Sequence, residues 1–384
     1  MRTSTDRILT THVGSLPRPD DVAEGLFARE RGALDDSAAF ERAVERAVAD
    51  AVGKQAALGL DIVSDGEMSK ISYATYVKDR LTGFDGDSPR NAPADLEAFP
   101  RFLQRQAKGG GTPTYRRPQC VGPIAVKDEG PLARDLANMK AALESAAPQA
   151  EGFMNAASPG VIALFQPNTF YATQDAYLAA LADAMASEYR AIIAQGLVLQ
   201  IDSPDLGLGR HVLFKGQSEA EYVRACEAHV EALNAALAGL PKDRIRLHVC
   251  WGNYEGPHHC DAPIDLVMGL ALKAHVGAVL FEGANPRHAH EWTYFRDHPV
   301  PDDLILVPGV IDSTTNFIEH PELVAQRIET YARLVGRERV IAGCDCGFAT
   351  FAGFGAVDPD IAWAKLGALA DGAAIASRRL WARA

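Results

Sequence analysis

The sequence predicts an α/β protein that folds as a single (βα)8 barrel over residues 1–384. Short apolar runs alternate along the chain with longer helical patterns, which is typical of parallel strands joined by helices. Polar residues follow most of these runs, and active sites of (βα)8 barrels lie at the carboxyl ends of the strands. The eight predicted strands span residues 8–13, 60–64, 119–124, 197–202, 244–250, 277–282, 304–310 and 339–343.

Helix-capping residues support the segments between these strands, because such residues pair with the free backbone groups at helix ends. Pro321 lies in the first turn of a helical pattern that stops at Gly336, where a glycine can end a helix. The apolar run at 160–165 is interpreted as a loop or helix and not as a ninth strand. The other predicted helix starts are Ser37, the capping box Ser218-x-x-Glu221 of a helix to about Leu240, and Asp358-Pro359.

Residues 83–118 interrupt the alternation of strands and helices. This stretch is rich in glycine, proline and charged residues, and it is too long for a plain connection in a compact domain. We interpret it as an inserted loop or arm that serves as a lid or as a contact between copies of the chain in a homo-oligomer. A solvated insertion without a function is the alternative.

Composition excludes several classes of protein. The chain has 38 Lys and Arg against 50 Asp and Glu, a net charge of −12, so a nucleic-acid partner is not expected. No apolar run approaches the roughly 18 residues of a membrane span, and the N-terminus lacks the apolar core of a secretory signal. Six cysteines do not form a disulfide scaffold in 384 residues, so we expect a reducing, cytoplasmic location.

Three predicted strands end in residues that bind metal ions. His248 and Cys250 are two apart in one strand and therefore point to the same face. Glu282 ends the next strand, and Cys346 follows the strand at 339–343. An ion that accepts nitrogen, sulfur and oxygen ligands in a tetrahedron is most simply zinc. The alternative is ordinary burial of a histidine and a cysteine at a strand end.

Other residues near these strand ends compete for the same role. His258, His259 and Cys260 lie in a loop rich in glycine and proline, and we interpret them as part of a site wall more than as ligands. Cys344 is two residues before Cys346 and could face the same site, although a packed core residue is the favoured interpretation.

These motifs resemble the cobalamin-independent methionine synthase family, in a single-barrel form that matches the catalytic C-terminal half. The resemblance implies the (βα)8 fold, a zinc ion and alkylation of a thiol. In the family, zinc is held at the positions of His248, Cys250, Glu282 and Cys346. The segments that carry the resemblance are THVGSLPRP (11–19), SDGE (64–67), QIDSPDLG (200–207), LHVCWGN (247–253), LFEG (280–283), VPGVIDSTTNFIE (307–319) and GCDCGF (343–348).

The resemblance also implies a site for an amino-acid thiol. Ser15 matches the residue that binds the carboxylate of this substrate, and Glu67 and Asp202 match the acids that bind its ammonium group. A turn and a strand-end cap are the plain alternatives for these two acids. Trp251 and Tyr254, beside the predicted metal strand, could form a stacking wall for a flat donor or could be ordinary packing residues.

One departure from the family concerns catalysis. Methionine synthases have a catalytic histidine two residues after the Asp of the Gly-Val-x-Asp segment, and this chain has Thr314 there. Asp312 is interpreted as a residue that orients a neighbouring group by hydrogen bonding, or that caps a loop. A threonine hydroxyl is not an imidazolium acid, so a methyl-folate donor is the part of the resemblance that this change weakens.

Three functions follow from the sequence. The first is zinc-dependent methyl transfer from methyl-folate or another donor to a small-molecule thiol such as homocysteine. The second is alkyl transfer or lyase chemistry on another thiol and electrophile, as in epoxyalkane:coenzyme M transferases, which resemble the same architecture. The third is a non-catalytic protein that binds zinc or a thiol.

Overall fold

A computed structural model describes residues 1–89, 92–108, 116–353 and 355–382, and for residues 106–108 it describes the backbone alone. The strands within these ranges are β1 (Leu9–Thr10), β2 (Ile62–Ser64), β3 (Phe84–Asp85), β4 (Gln119–Cys120), β5 (Glu151–Ala157), β6 (Val198–Asp202), β7 (Ile245–His248), β8 (Ala278–Phe281), β9 (Ile305–Ile311) and β10 (Ile341–Cys344).

In the described part of the chain, eight of these strands form one parallel sheet in the order β1-β10-β9-β8-β7-β6-β5-β2. The two ends of this sheet meet. The backbone N–H of Asp61, just before β2, donates to the carbonyl of Thr10 at 3.2 Å. The Thr11 hydroxyl donates to the carbonyl of Ile62 at 3.1 Å. The sheet is therefore a nearly closed barrel, and the predicted (βα)8 fold is confirmed.

One predicted barrel strand is wrong. Gln119–Cys120 does not enter the barrel but pairs antiparallel with Phe84–Asp85, in a ribbon at the base of the insertion. Gly122 and Pro123 follow it directly, and proline lacks the N–H that a central strand needs. The third barrel strand is instead Glu151–Ala157, which the prediction missed because its sequence, EGFMNAA, contains no β-branched residue.

Helices surround the barrel and largely begin where the capping residues predict. The capping box of Ser218 and Glu221 is present, but the helix ends at Ala236, before the predicted Leu240. The helix expected to open at Ser37 does begin there, with Asp36 as the capping residue. The α-helices are α1 (Asp20–Glu30), α2 (Ser37–Ala57), α3 (Val77–Arg80), α4 (Ala94–Glu97), α5 (Pro100–Lys108), α6 (Gly130–Ala146), α7 (Pro159–Phe165), α8 (Gln174–Ala194), α9 (Gly209–Val212), α10 (Glu219–Ala236), α11 (Ile264–Ala271), α12 (Trp292–Asp297), α13 (Pro321–Val335) and α14 (Pro359–Trp381).

Short 3-10 helices cover Pro204–Leu206, Lys242–Arg244 and Arg337–Arg339. The apolar run at 160–165 lies in α7 and not in a strand, as predicted. Among the described residues, the helices do not include one with both the length and the apolar character that crossing a membrane requires.

Two kinds of side chain fill the barrel. Apolar residues from most of the strands form one inner cluster, which includes Phe153 and Val198. Because side chains alternate along a strand, Gln200 and Asp202 face the same interior as Val198. In the parallel pairing of β6 with β7, Gln200 is opposite Arg246 and Asp202 is opposite His248. The interior thus changes from apolar to polar towards the carboxyl ends of the strands.

Candidate metal centre and substrate site

The ends of two barrel strands bring three potential metal ligands together. His248 is the last residue of β7, Cys250 follows it, and Cys346 lies just beyond the end of β10. One ligand atom of each residue lies within 4.8 Å of the other two, and all three residues are buried. The structure therefore groups three of the four predicted ligands at the carboxyl end of the barrel. That they bind a metal stays a prediction.

The imidazole of His248 has one engaged and one free nitrogen. Its Nδ1 lies 3.4 Å from Oδ1 of Asp202. Its Nε2 is buried, and the part of the chain that the structure describes offers it no hydrogen-bond partner. Burial lowers the pKa of His248, but the contact with Asp202 and the neighbouring acidic groups outweigh burial and raise the pKa overall. Because buried polar atoms are normally paired, a free Nε2 beside two thiols fits a bound cation.

The two thiols of the cluster share a hydrogen bond. Pairing with Cys346 lowers the pKa of Cys250 below its ordinary value. The same pairing, together with burial, raises the pKa of Cys346 well above its ordinary value. The shared hydrogen bond therefore shifts the two pKa values in opposite directions. A soft cation bound here would take the place of the shared proton, since metal binding requires thiolates.

Glu282 lies just beyond β8, at the edge of this cluster. Its Oε1 accepts a hydrogen bond from the backbone N–H of Trp251 at 2.8 Å, and its Oε2 accepts one from Nδ2 of Asn285 at 2.7 Å. Over the described ranges, its oxygens are not among the ligand atoms that approach one another within 4.8 Å. Burial raises the pKa of Glu282. The structure does not bring this fourth predicted ligand into the group, and its role stays a prediction.

Asp345 is a site residue that the sequence reasoning missed. It lies between the two cysteines of the Cys-Asp-Cys-Gly segment and is buried. Its carboxylate accepts backbone hydrogen bonds from Gly283, Ala284 and Asn285, each at 2.8 Å. A side chain at Gly309 would collide with this carboxylate, so the close approach requires glycine. Asp345 thereby fixes the segment after Glu282 against the strand that leads to Cys346.

Two carboxylates at strand ends, Glu67 and Asp202, are buried. Glu67 follows β2 with a φ of 56°, in the left-handed region. Its Oε2 is buried and unpartnered as far as the described residues extend. Burial raises the pKa of Glu67 to about 7, and the charge of Asp202 contributes in the same direction, whereas Lys70 lowers it. A cationic ligand would let both carboxylates stay ionised, as the predicted ammonium site requires.

Ser15 and Arg18, in the segment after β1, contact the segment that follows β10. The carbonyl of Ser15 accepts a hydrogen bond from the N–H of Phe348 at 2.9 Å, and a side chain at Gly347 would collide with the Ser15 hydroxyl. The Arg18 guanidinium donates to the carbonyls of Glu67 at 2.8 Å and Ala349 at 2.6 Å. Arg18, which the sequence reasoning missed, thus holds the turns that carry Glu67 and Cys346 in one arrangement.

Asp312 shapes the turn after β9. Its Oδ1 accepts hydrogen bonds from the N–H of Thr314 at 2.9 Å and from the Thr314 hydroxyl at 2.8 Å. Its Oδ2 accepts one from the hydroxyl of Thr315 at 2.5 Å. These contacts agree with both sequence interpretations of Asp312, the orienting role and the loop cap. The catalytic assignments of Asp312 and Thr314 stay predictions.

Trp251 and Tyr254 lie in the loop after Cys250. Trp251 is fully buried, its ring stacks on His288 with a centroid distance of 4.4 Å, and its Nε1 donates to the carbonyl of Ala262 at 2.6 Å. Tyr254 stacks on His258, also at 4.4 Å. Packing is therefore the interpretation that the contacts of Trp251 favour, and a substrate contact for Tyr254 stays a prediction.

The insertion packs against this same loop. Asp95 of α4 is buried, and its Oδ2 accepts hydrogen bonds from the Tyr254 hydroxyl at 2.8 Å and the His258 N–H at 2.9 Å. Its Oδ1 lies 3.5 Å from Nδ1 of His211. Residues 90–91 and 109–115 of the predicted arm lie outside the described residues. The described part of the arm is thus attached to the loop after the candidate metal strand.

The rival ligands have other partners. His258 places Nδ1 at 3.0 Å from Oδ2 of Asp261 and Nε2 at 2.9 Å from the carbonyl of Tyr254. Contact with Asp261 outweighs burial and raises the pKa of His258 to about 9. His259 packs edge-on against an aromatic ring of the insertion, and Cys260 is half-buried. Cys344 is part of the hydrophobic core, as the favoured interpretation had it.

The barrel and its strand-end residues define a (βα)8 protein with a buried nitrogen- and sulfur-rich centre. The chain matches the sequence model of the family described as "Cobalamin-independent synthase, Catalytic domain" over residues 8–90 and 159–358. It belongs to that family, as the resemblance in its motifs implied.

Similar proteins extend over nearly the whole chain. The uncharacterized protein YxjH of Bacillus subtilis (strain 168) is 27% identical over 364 residues, covering 92% of this chain and 91% of its own. A methionine synthase of Thermococcus kodakarensis is 24% identical over 372 residues, covering 97% and 94%. The solved structure of a B12-independent methionine synthase from Shewanella sp. W3-18-1 shares the fold, with a TM-score of 0.72 at 18% identity, covering 98% and 100%.

Proposed function

We propose that this protein is a zinc-dependent S-methyltransferase that methylates a small-molecule thiol such as homocysteine. The observation that carries the proposal is the buried group of His248, Cys250 and Cys346, in which Nε2 of His248 is the unpartnered atom. Membership of the cobalamin-independent synthase family and similarity to proteins named methionine synthase support the same activity.

The residues present fit zinc. Two thiols and an imidazole are ligands that zinc prefers, and Glu282 beside them can supply a carboxylate oxygen, since each oxygen accepts more than one contact. Zinc bound here would supply deprotonation of a substrate thiol, whose ordinary pKa is about 8.5, at neutral pH. The chain's own part is to present these ligands from rigid strand ends and to exclude water, because all of them are buried.

The acidic side of the site supports an amino-acid thiol as the acceptor. Glu67 has a buried, unpartnered carboxylate oxygen within the described residues. Asp202 accepts hydrogen bonds at both of its oxygens, from Asn155 at 2.9 Å and from Gln200 at 2.8 Å, and is thereby held in place. We assign the substrate's ammonium group to these two acids and its carboxylate to Ser15. A protein that only binds zinc or senses thiols would not need this second, acidic half.

The donor decides between two reactions. The thiolate sulfur forms a bond to the transferred carbon, and the bond to the leaving group breaks with its electron pair, so a leaving group that departs as a basic anion must gain a proton. The nitrogen of a methyl-folate needs an acid for this step. The Thr314 hydroxyl is directed at Asp312 and cannot act as an imidazolium. This observation favours a second candidate, alkyl transfer to another thiol from a more reactive electrophile such as an epoxide.

A panel of thiols offered to the zinc-loaded protein tests the proposal. The panel would contain homocysteine, cysteine and thiols without an amino group, and the measurement is the X-ray absorption spectrum of the metal. We expect homocysteine to add a sulfur neighbour at about 2.3 Å. If only a thiol without an amino group adds this neighbour, the second candidate replaces the first. If none of the thiols changes the spectrum, both transferase functions are wrong.

A further inference from the structure

We propose that Gln200 and Arg246 are positioning residues, which fix the carboxylate of Asp202 and thereby direct Nε2 of His248 towards the two thiols. The inference rests on the proposed function, because it concerns how the metal ligand and the ammonium-binding acid are held. Neither residue lies in the cluster itself.

Arg246 is a fully buried cation inside the barrel. It lies on β7 two residues before His248 and therefore faces the same interior. Its Nε donates to Oε1 of Gln200 at 2.8 Å, and its other nitrogens donate to the Thr11 hydroxyl at 3.0 Å and the His12 carbonyl at 3.1 Å. These acceptors lie on the adjacent strand β6 and on the segment that follows β1 across the barrel, so the guanidinium is held from two directions.

The hydrogen bonds on both sides of Gln200 determine which way its amide points. Arginine has donors alone, so the carbonyl oxygen of Gln200 must face Arg246. The NH2 group then faces Oδ1 of Asp202 at 2.8 Å and the carbonyl of Val13, and both of these atoms are acceptors. A reversed amide would set a donor against Arg246 and an oxygen against Asp202. The amide therefore has one favourable orientation.

The same order of donors and acceptors continues to His248. Oδ2 of Asp202 accepts a hydrogen bond from Asn155. Its Oδ1 accepts one from Gln200 and also lies 3.4 Å from Nδ1 of His248. An acceptor at Nδ1 selects the tautomer with hydrogen on Nδ1, which leaves the lone pair on Nε2. Nε2 is the nitrogen that is buried and unpartnered within the described residues. The series of hydrogen bonds that begins at Arg246 thus leaves the lone pair of Nε2 available to a metal ion.

Gln200→Glu tests the inference, because it keeps the volume of the side chain and replaces the donor to Asp202 by an acceptor. We expect zinc affinity, measured by competition with a chelator, to fall about 10- to 100-fold, as for other residues that orient metal ligands. The X-ray absorption spectrum should show one nitrogen neighbour fewer, because His248 is no longer directed at the metal. A role in stability alone would not change the number of neighbours.

Gln55→Glu is the matched control, because Gln55 is equally buried and its side chain bonds to the imidazole of His12 and the carbonyl of Ser64, and not to Asp202 or His248. It touches the network only through His12, whose backbone carbonyl accepts from Arg246. It should keep the zinc affinity and spectrum of the wild type. Arg246→Lys is a second variant that keeps the charge but loses the forked donor, and we expect a zinc affinity between wild type and Gln200→Glu.

The outcomes separate this inference from the proposed function. If Gln200→Glu and Arg246→Lys both bind zinc as tightly as the wild type with unchanged spectra, the positioning role is wrong and the proposed function stands. If Gln55→Glu loses as much zinc affinity as Gln200→Glu, the effect is general destabilisation and the inference is again overturned. If the wild type takes up no zinc, the proposed function is overturned, and the inference with it.

Discussion

Two regions at the carboxyl end of the barrel differ in how firmly they are held. The thiol side, formed by His248, Cys250, Cys346, Glu67 and Asp202, consists of side chains that are at most 5% exposed. The β9 turn, residues 312–318, is closed by hydrogen bonds to Asp312 but ends at the surface, where Phe317 is 82% exposed. Under the proposed function, the buried strand ends would select the acceptor thiol and the surface turn would act on the alkyl donor.

The largest expected effect lies on the thiol side. Replacing Cys250 or Cys346 by serine exchanges a soft, charged ligand for a hydroxyl, so zinc affinity should fall by orders of magnitude. Metal analysis after dialysis against a weak chelator measures this loss. Cys226→Ser, on α10 and buried in the core, is the matched control and should keep its zinc. Full zinc occupancy in both ligand variants would contradict the assignment.

The next effect concerns the β9 turn. With methyl-folate and homocysteine we expect turnover to be slower by about 10²–10⁴-fold than in a barrel that has the histidine, the usual contribution of a general acid. An activated methyl donor at equal concentration should react much faster. Thr314→His should raise the methyl-folate rate, and Thr314→Gln should not. Rapid methyl-folate turnover by the wild type would show that another residue, such as Asp312 or His258, supplies the proton.

A smaller effect is expected from the acid side of the thiol region. If Glu67 binds an ammonium group, Glu67→Gln should raise the KM for an amino thiol by roughly 10- to 150-fold, equivalent to about 1.5–3 kcal/mol for a charge-assisted hydrogen bond. Thiols without an amino group should react equally well with both proteins. Equal losses with the two kinds of thiol would assign Glu67 to structure or to the chemical step instead.

The pH dependence of stability offers an independent test of Glu67. Burial raises its pKa from 4.5 to about 7 in the folded protein, so between these values the folded state binds the proton more strongly than the unfolded state. The contribution of Glu67 to the free energy of unfolding is therefore present below pH 4.5 and is lost as pH rises through about 7. Urea denaturation across this range should show a decline that Glu67→Gln reduces. Parallel curves for the two proteins would mean that Glu67 has an ordinary pKa.

The smallest expected effect tests whether the two regions are independent. Asp312→Asn weakens the hydrogen bonds of the β9 turn, and we expect the free energy of unfolding to fall by about 0.5–1.5 kcal/mol. Zinc affinity should not change, because the turn contributes no residue to the cluster within the described chain. A large loss of zinc in this variant would show that the β9 turn supports the metal centre.

The sequence predicted best those features that arise from local order. His248 and Cys250 share a strand face by simple alternation, and the barrel follows from the repeated strands and helices. The strand Glu151–Ala157 was missed because burial in a parallel sheet, and not its own residue types, makes it a strand.

Residues that act across the fold left no local signal. Asp345, Arg18 and Asp95 each bind backbone or side-chain groups of segments far away in sequence. Nothing near them in the chain indicates those partners. Gln200 and Arg246 also lack a local signal, because each lies within a predicted strand. Only the pairing of β6 with β7 places them side by side.

The pairing of β1 with β10 has a consequence for synthesis of the protein. Ser15 contacts the segment of Gly347 and Phe348, and Cys346 joins His248 and Cys250 only when β10 is in place. A chain still emerging from the ribosome therefore has neither a closed barrel nor a complete cluster of His248, Cys250 and Cys346. Such contacts between distant segments form late in folding. The newly synthesised protein is therefore at first a partly folded chain whose thiols are exposed to solvent.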